Sequence, residues 1–313
     1  MRAFLKTFAL FMVLPLAVFI ATVYRADGRT DPYYLRFTTP RQGSLIVGDS
    51  RSAQGIHPQV LDSVLHAGGW HGKVFNYSFA LYKSNFGKAY YESIRKKLDP
   101  DSRDGVFVVS VDPWNISRHK TMTEAEEEQR DQDRSFVARM WCVNMYPNVE
   151  YLLHEYPYPF LTILAPARGQ RSGQLELHED GWLEVQVDLS PEEVAKRVEG
   201  KARFYLDHHL ATDTLSVRRM AYLRKTIDLL KQHGTVLLVR LPAHSAIYAS
   251  EELYMPDFDP IMESLAESED VPYLVIPPDD AKWSFVDGNH MTPASGAKVS
   301  QLIGEELLKD LRK

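Results

Sequence analysis

The sequence predicts an α/β fold, with a parallel sheet covered by helices on both of its faces. Short apolar runs of buried-strand type recur along the chain, and helical stretches with apolar residues on one face separate them. Gly48-Asp49-Ser50, Asn76 and Asp112 each fall just after one of these runs. That is the end of a parallel sheet where ligands gather. Residues 44–47 form the first strand and run into Gly48-Asp49-Ser50. A helix is expected over 57–66, with Val60, Leu61, Val64 and Leu65 on one face. Residues 73–76 read as the second strand, 84–98 as the second helix and 105–111 as the third strand. The strongly periodic stretch 216–232 leads into a fourth strand at 235–240, and 272–276 supplies a fifth. The last helix starts near Pro293, a residue suited to a first helical turn, and runs to Leu311.

The interval from about 115 to 215 breaks the alternation and reads as an insertion that caps the site. Its acidic run, residues 123–131, suits a solvated helix face. Its aromatics, among them Trp141, Tyr146, Tyr151, Tyr156, Tyr158 and Phe160, suit either the cap or a small core of their own. Residues 175–185 look like a hairpin with Asp180-Gly181 at the turn.

At the N-terminus, Arg2 and Lys6 precede an uncharged run over 7–24, broken only by Pro15. Roughly 18 residues is near the lower limit for crossing a bilayer. The leading charges predict a cytoplasmic N-terminus, and no small-residue cleavage pattern precedes Arg25. An uncleaved signal anchor is expected ahead of a cleaved signal peptide, and either exports the rest of the chain. The expected organisation is an anchor at 1–24, a linker at 25–41 and one domain at 42–313. The domain would then lie outside the cytoplasm, in a periplasm or at the cell surface.

Composition narrows the function. The 313 residues carry 36 Lys+Arg against 42 Asp+Glu, a net charge of −6 that argues against nucleic acid as the partner. Cys142 is the only cysteine, which excludes a disulfide framework and a Cys-rich zinc site. Asp207-His208-His209 invites a metal, but adjacent histidines on a helix point apart. His154-Glu155 lacks the second histidine of a zinc-protease motif, and no phosphate-binding glycine loop is present. His244 follows the fourth strand on the site's side of the sheet, as a loop or pocket-lining residue.

Two patches carry chemistry. Val47-Gly48-Asp49-Ser50 places a serine at a strand-to-helix turn, where backbone N–H groups favour a developing negative charge. Asp287-Gly288-Asn289-His290 precedes the last helix, and its spacing lets the carboxylate hold one imidazole nitrogen while the other faces a serine. Together they resemble the GDSL/SGNH hydrolase superfamily, over about 44–80, 105–115 and 235 to the end. The resemblance implies a flavodoxin-like three-layer sandwich with a five-stranded parallel sheet in the order 2-1-3-4-5. It also implies ester hydrolysis or acyl transfer by Ser50 as nucleophile, His290 as general base and Asp287 as its orienting group.

The match departs at the oxyanion hole. No glycine follows Asn76 at the family's spacing, which leaves the Ala80 or Leu81 backbone. Asp112 stands near the position of the usual third-block asparagine, so Asn115 or the Ser50 N–H becomes the candidate donor. Arg51 and Arg240, near strand ends, are candidates to neutralise Asp112. Anchor, insertion and altered third block are similar to anchored members that serve polysaccharide O-acetylation and teichoic acid D-alanyl transfer. This implies an acylated glycan or other ester as substrate, a membrane O-acyltransferase as possible partner, and no metal or organic cofactor. The alternative is a non-catalytic glycan-binding adaptor for such a transferase.

Overall fold

The computed structural model describes residues 1–27, 31–164 and 175–311. The chain folds as α/β around a five-stranded, all-parallel sheet. Its strands are β1 (Leu45–Val47), β2 (Phe75–Asn76), β3 (Gly105–Ser110), β4 (Gly234–Arg240) and β5 (Tyr273–Val275). They lie in the order β2-β1-β3-β4-β5. The main helices are α1 (Arg2–Arg25), α2 (Ser50–Gly55), α3 (Pro58–Ala67), α4 (Lys88–Lys97), α5 (Pro191–Phe204) and α6 (Val217–Lys231). α7 (Ser245–Tyr254), α8 (Phe258–Glu269) and α9 (Pro293–Leu311) complete the set.

Successive strand residues point to opposite faces, which sorts the apolar side chains into two clusters. Leu45, Val47, Phe107, Val109, Val236 and Leu238 pack with Ile94 of α4, Ile227 of α6 and Met262 of α8. Ile46, Val106, Val108, Leu237 and Val239 pack with Leu61 of α3 and with Val299 and Ile303 of α9. Each fully buried aliphatic side chain of this kind contributes about 1.5–3 kcal/mol. Ser50 follows β1 directly, at the carboxyl end of the central strands.

Edge strand β2 is covered by an antiparallel hairpin, Leu175–Leu177 with Leu183–Val185. The Asn76 N–H donates to the Asp180 carbonyl at 2.8 Å. The reversal is wider than a two-residue Asp180-Gly181 turn, because the His178 N–H bonds the Trp182 carbonyl across it at 2.8 Å. Gly181, at φ +84°, lies so close to the Asn76 backbone that a Cβ would meet its carbonyl oxygen.

Residues 31–41 of the segment 25–41, expected as a linker, are instead built into the domain. Tyr34 and Phe37, three apart on a 3-10 turn, are fully buried in the main cluster. Arg36, also fully buried, donates to the carbonyls of Pro32 (2.8 Å), Asn76 (3.1 Å) and Gly181 (2.6 Å). Among the described residues of the insertion, Phe136 and Tyr151 join the same cluster as Phe37 and Phe79. Its acidic helix, Glu124–Arg134, begins with a Thr123–Glu126 capping box. One side of that helix is not solvated, for Glu127 is buried against Arg219 at 2.8 Å.

α1 is long and apolar enough to cross a membrane, with a mean hydropathy of 2.2 over its apolar window. Only its last turn is buried, at Thr22 and Val23. Because Arg36 satisfies three carbonyls at once, Arg36→Ala should cost about 3 kcal/mol of stability. Denaturant unfolding of the full chain measures this, and a change below about 1 kcal/mol contradicts the bracing role.

Candidate active site

The turn after β1 is set by Gly48, whose φ is +155°. A Cβ there would lie 2.5 Å from Ser52 Oγ and 2.8 Å from Ser110 Cβ, so only glycine fits. Asp49 then caps α2, its Oδ1 accepting the Arg51 N–H at 2.8 Å. Ser50 is the first helical residue, where the backbone N–H has no intrahelical acceptor. Its side chain is half-buried.

The second half of the site is a tight loop between Phe285 and Met291, which pair as an antiparallel bridge. The Val286 N–H bonds the His290 carbonyl across it at 2.7 Å. Gly288 turns the loop at φ +84°, packed against Ile247, His244 and Val198. Asp287 accepts the backbone N–H groups of Asn289 (3.0 Å) and His290 (2.9 Å). Its carboxylate faces His290 Nδ1 at 2.9 and 3.1 Å. His290 Nε2 lies 2.9 Å from Ser50 Oγ. With the proton on Nδ1, shared with Asp287, Nε2 is free to accept the serine proton.

Burial works against the Asp287 charge, but His290, and then Lys201 at 3.4 Å, outweigh it. The carboxyl is held well below its usual range and stays ionised. Lys201 comes from α5 of the insertion, which also bonds the loop through Arg197 Nε to the Val286 carbonyl at 2.8 Å. Tyr205, just after α5, donates to Asn289 Oδ1 at 2.9 Å. The insertion thus braces the acid–base loop as well as lying beside it. No motif or periodicity marks Lys201, Arg197 or Tyr205 for that role.

Asn289 is the residue that sequence reasoning overlooked, although it stands between Asp287 and His290. Arg51 Nε donates to its Oδ1 at 2.8 Å. A guanidinium can only donate, so the amide nitrogen must point the other way. There Nδ2 lies 3.4 Å from His290 Nε2, beside the serine hydroxyl. A side-chain N–H donor therefore faces the Ser50 hydroxyl and His290.

The remaining sequence candidates lie around this centre in other roles. Arg51 is 2% exposed and paired with Glu251, so it is no free substrate contact. Arg240, 1% exposed, is bound to Glu251 (2.9 Å) and Asp259 (2.7 Å) and stacks over Tyr248. It therefore serves that network and not Asp112. Asn115 is turned into its own loop, its amide donating to the Ser110 carbonyl (3.3 Å) and Asp112 (3.4 Å). That placement corrects its assignment as oxyanion donor, because the loop consumes its N–H groups. Leu81 heads the one-turn helix Leu81–Ser84 and packs against the cluster of Trp114 and Tyr205.

Asp112 accepts the N–H groups of Trp114 (2.8 Å) and Asn115 (3.1 Å) and hydrogen-bonds Asp49. Burial, and then Asp112 alongside, push the Asp49 carboxyl well above its ordinary range, so it holds its proton to higher pH than a free carboxyl. Arg51 lies close enough to offset the Asp112 charge.

Beside the acid–base loop is a cavity of about 650 Å³, lined by Pro191, His244, Asp280, Trp283, Phe285 and Thr292. His244 thus does line a pocket. A cavity of about 830 Å³ at the amino ends of β4 and β5, around Gly234 and Tyr273, is remote from Ser50. Among the described residues, Glu176, His178 and Glu184 of the hairpin come close enough to share a cation. His178 Nε2 is bound to Glu184 at 2.9 Å. His209 of the Asp207-His208-His209 run bonds Asp213 at 2.7 Å.

No family model matches the chain, and neither a curated protein nor a solved structure gives a significant match.

The Asp49 proton has a thermodynamic consequence. The native state holds a proton that the unfolded chain releases near pH 4, so unfolding releases protons above that pH. Stability from this pair is complete below about pH 4 and falls as pH rises. Asp49→Asn keeps the cap and the hydrogen bond without a titrating group. Its unfolding midpoint should fall less steeply than the parent's from pH 4 upward, and parallel slopes contradict the shared proton.

Proposed function

We propose that the chain is a membrane-anchored serine hydrolase or acyltransferase of the GDSL/SGNH type, acting on ester-linked acyl groups of cell-surface glycans. The observation that carries this is the unbroken hydrogen-bonded series from Ser50 Oγ through His290 to Asp287. The strand order and the helices on both faces fit the flavodoxin-like sandwich that the resemblance implies.

In this reading Ser50 Oγ attacks the ester carbonyl carbon while its proton passes to His290 Nε2. Asp287, kept ionised, stabilises the imidazolium that forms. The Ser50 N–H and Asn289 Nδ2 receive the oxyanion of the tetrahedral intermediate. Collapse breaks the bond to the alcohol, which leaves with the proton from Nε2, and the acyl group stays on Ser50. Water or a sugar hydroxyl then attacks this acyl-enzyme, gives its proton to Nε2, and releases Ser50 as the proton returns. The cavity beside the loop joins Trp283 and Phe285 to polar His244, Asp280 and Thr292, a mixture suited to a glycan.

α1, which begins at Arg2, would hold the domain on the outer side of the membrane. A second reading is favoured by Asn115, whose amide is turned away from the site. On that reading the fold is a glycan-binding adaptor that partners a membrane O-acyltransferase.

Two experiments separate them. A fluorophosphonate probe should label the full chain, and Ser50→Ala or His290→Ala should abolish the label. Labelling that survives Ser50→Ala, or none on folded parent protein, favours the adaptor. Asn289→Ala should lower kcat on an aryl acetate ester by about 100-fold, as loss of one oxyanion donor does. Less than a threefold change in a variant that unfolds like the parent removes Asn289 from the oxyanion hole.

A further inference from the structure

We infer that the insertion gives the protein a second contact with the bilayer, through an aromatic segment that lies in the lipid interface beside α1. This rests on the reading of α1 as a membrane span. Within segment 146–161, Leu161 is 69% exposed, Leu153 57%, Tyr146 56% and Tyr158 42%. Concentrated exposed apolar side chains mark a surface that is covered by something. Tyrosine bodies with polar tips are the side chains that lipid headgroup regions favour.

What covers them follows from where they sit. The Tyr146 hydroxyl donates to the Tyr24 carbonyl at 3.0 Å, and the two rings meet edge to face at 6.2 Å. The Phe160 ring lies 6.1 Å from that of Phe19, and the helix Leu161–Leu164 packs on α1. Phe19 precedes Arg25 by six residues, about 9 Å along a helix. A headgroup layer is roughly 5–8 Å thick on each side of the hydrocarbon. With Arg25 among the headgroups, Phe160 and Leu161 therefore reach the edge of the hydrocarbon. A protein partner would have to displace lipid from the side of a spanning helix to reach them.

The domain has no freedom to lift this segment away. Val23 and Ala26 belong to the main core, as do Tyr34 and Phe37, so the end of α1 is fixed to the domain. The surface is therefore presented to the membrane whenever α1 is inserted, and it holds the site at a set height above the lipid.

The test uses the full chain reconstituted in phosphatidylcholine vesicles, with and without brominated acyl chains. Leu161→Trp adds one reporter to the five native tryptophans. Its added emission should be blue-shifted and fall at least twofold in brominated lipid. Tyr158→Trp should behave likewise, which guards against one variant that folds poorly. Added emission of aqueous colour, unquenched in protein that floats with the vesicles, overturns the contact and leaves the anchor standing. Protein that does not float with vesicles overturns both.

Discussion

The site depends above all on one buried guanidinium. Arg51 follows Ser50 on α2 and donates to Asn289, 238 residues further on and next to His290. It is held in place by Glu251 of α7, which also binds Arg240, and Arg240 in turn binds Asp259 of α8. One chain of alternating charges thus ties together the Ser50 turn, the loop of Asp287 and His290, and the helices after β4. Such a network is weak as a source of net stability, because every charge in it has left water. It is strong as a constraint. Removing any partner strands a buried charge at a cost of about 3–5 kcal/mol, so only one arrangement of these elements is tolerated.

That constraint explains how the insertion takes part. It is no detachable cap, since its aromatics share the main core and α5 lies against the acid–base loop. Lys201 offsets the burial of Asp287, while Tyr205 and Arg51 together orient Asn289. The imidazole is therefore held in place by groups from three separated parts of the chain. Preorganisation of that kind lets polar groups act on a developing charge without having to rearrange.

What could be read in the sequence was what rests on local pattern. All five sheet strands were legible because short apolar runs between helical stretches need no partner to be recognised. Ser50, Asp287 and His290 were legible because two short loops hold all three, each beside a clear strand or helix. α7 was not, because it buries Glu251 and Ser250 where a periodic reading expects apolar residues. Burial was the general blind spot. Arg51 and Arg240 were expected as partners for Asp112, and 25–41 as a polar linker, because sequence does not show which charges find which partners. Asn289 and Asn115 exchanged importance for the same reason: a donor's worth depends on where its N–H points.

The most direct measurement is to trap the covalent intermediate by mixing the full chain with an activated aryl ester, quenching in acid and mapping peptides by mass. Nucleophilic chemistry at this site predicts one acyl group, on the peptide that contains Ser50, and its absence when His290 is replaced by alanine. An acyl group found elsewhere, or accumulating equally without the imidazole, would contradict it.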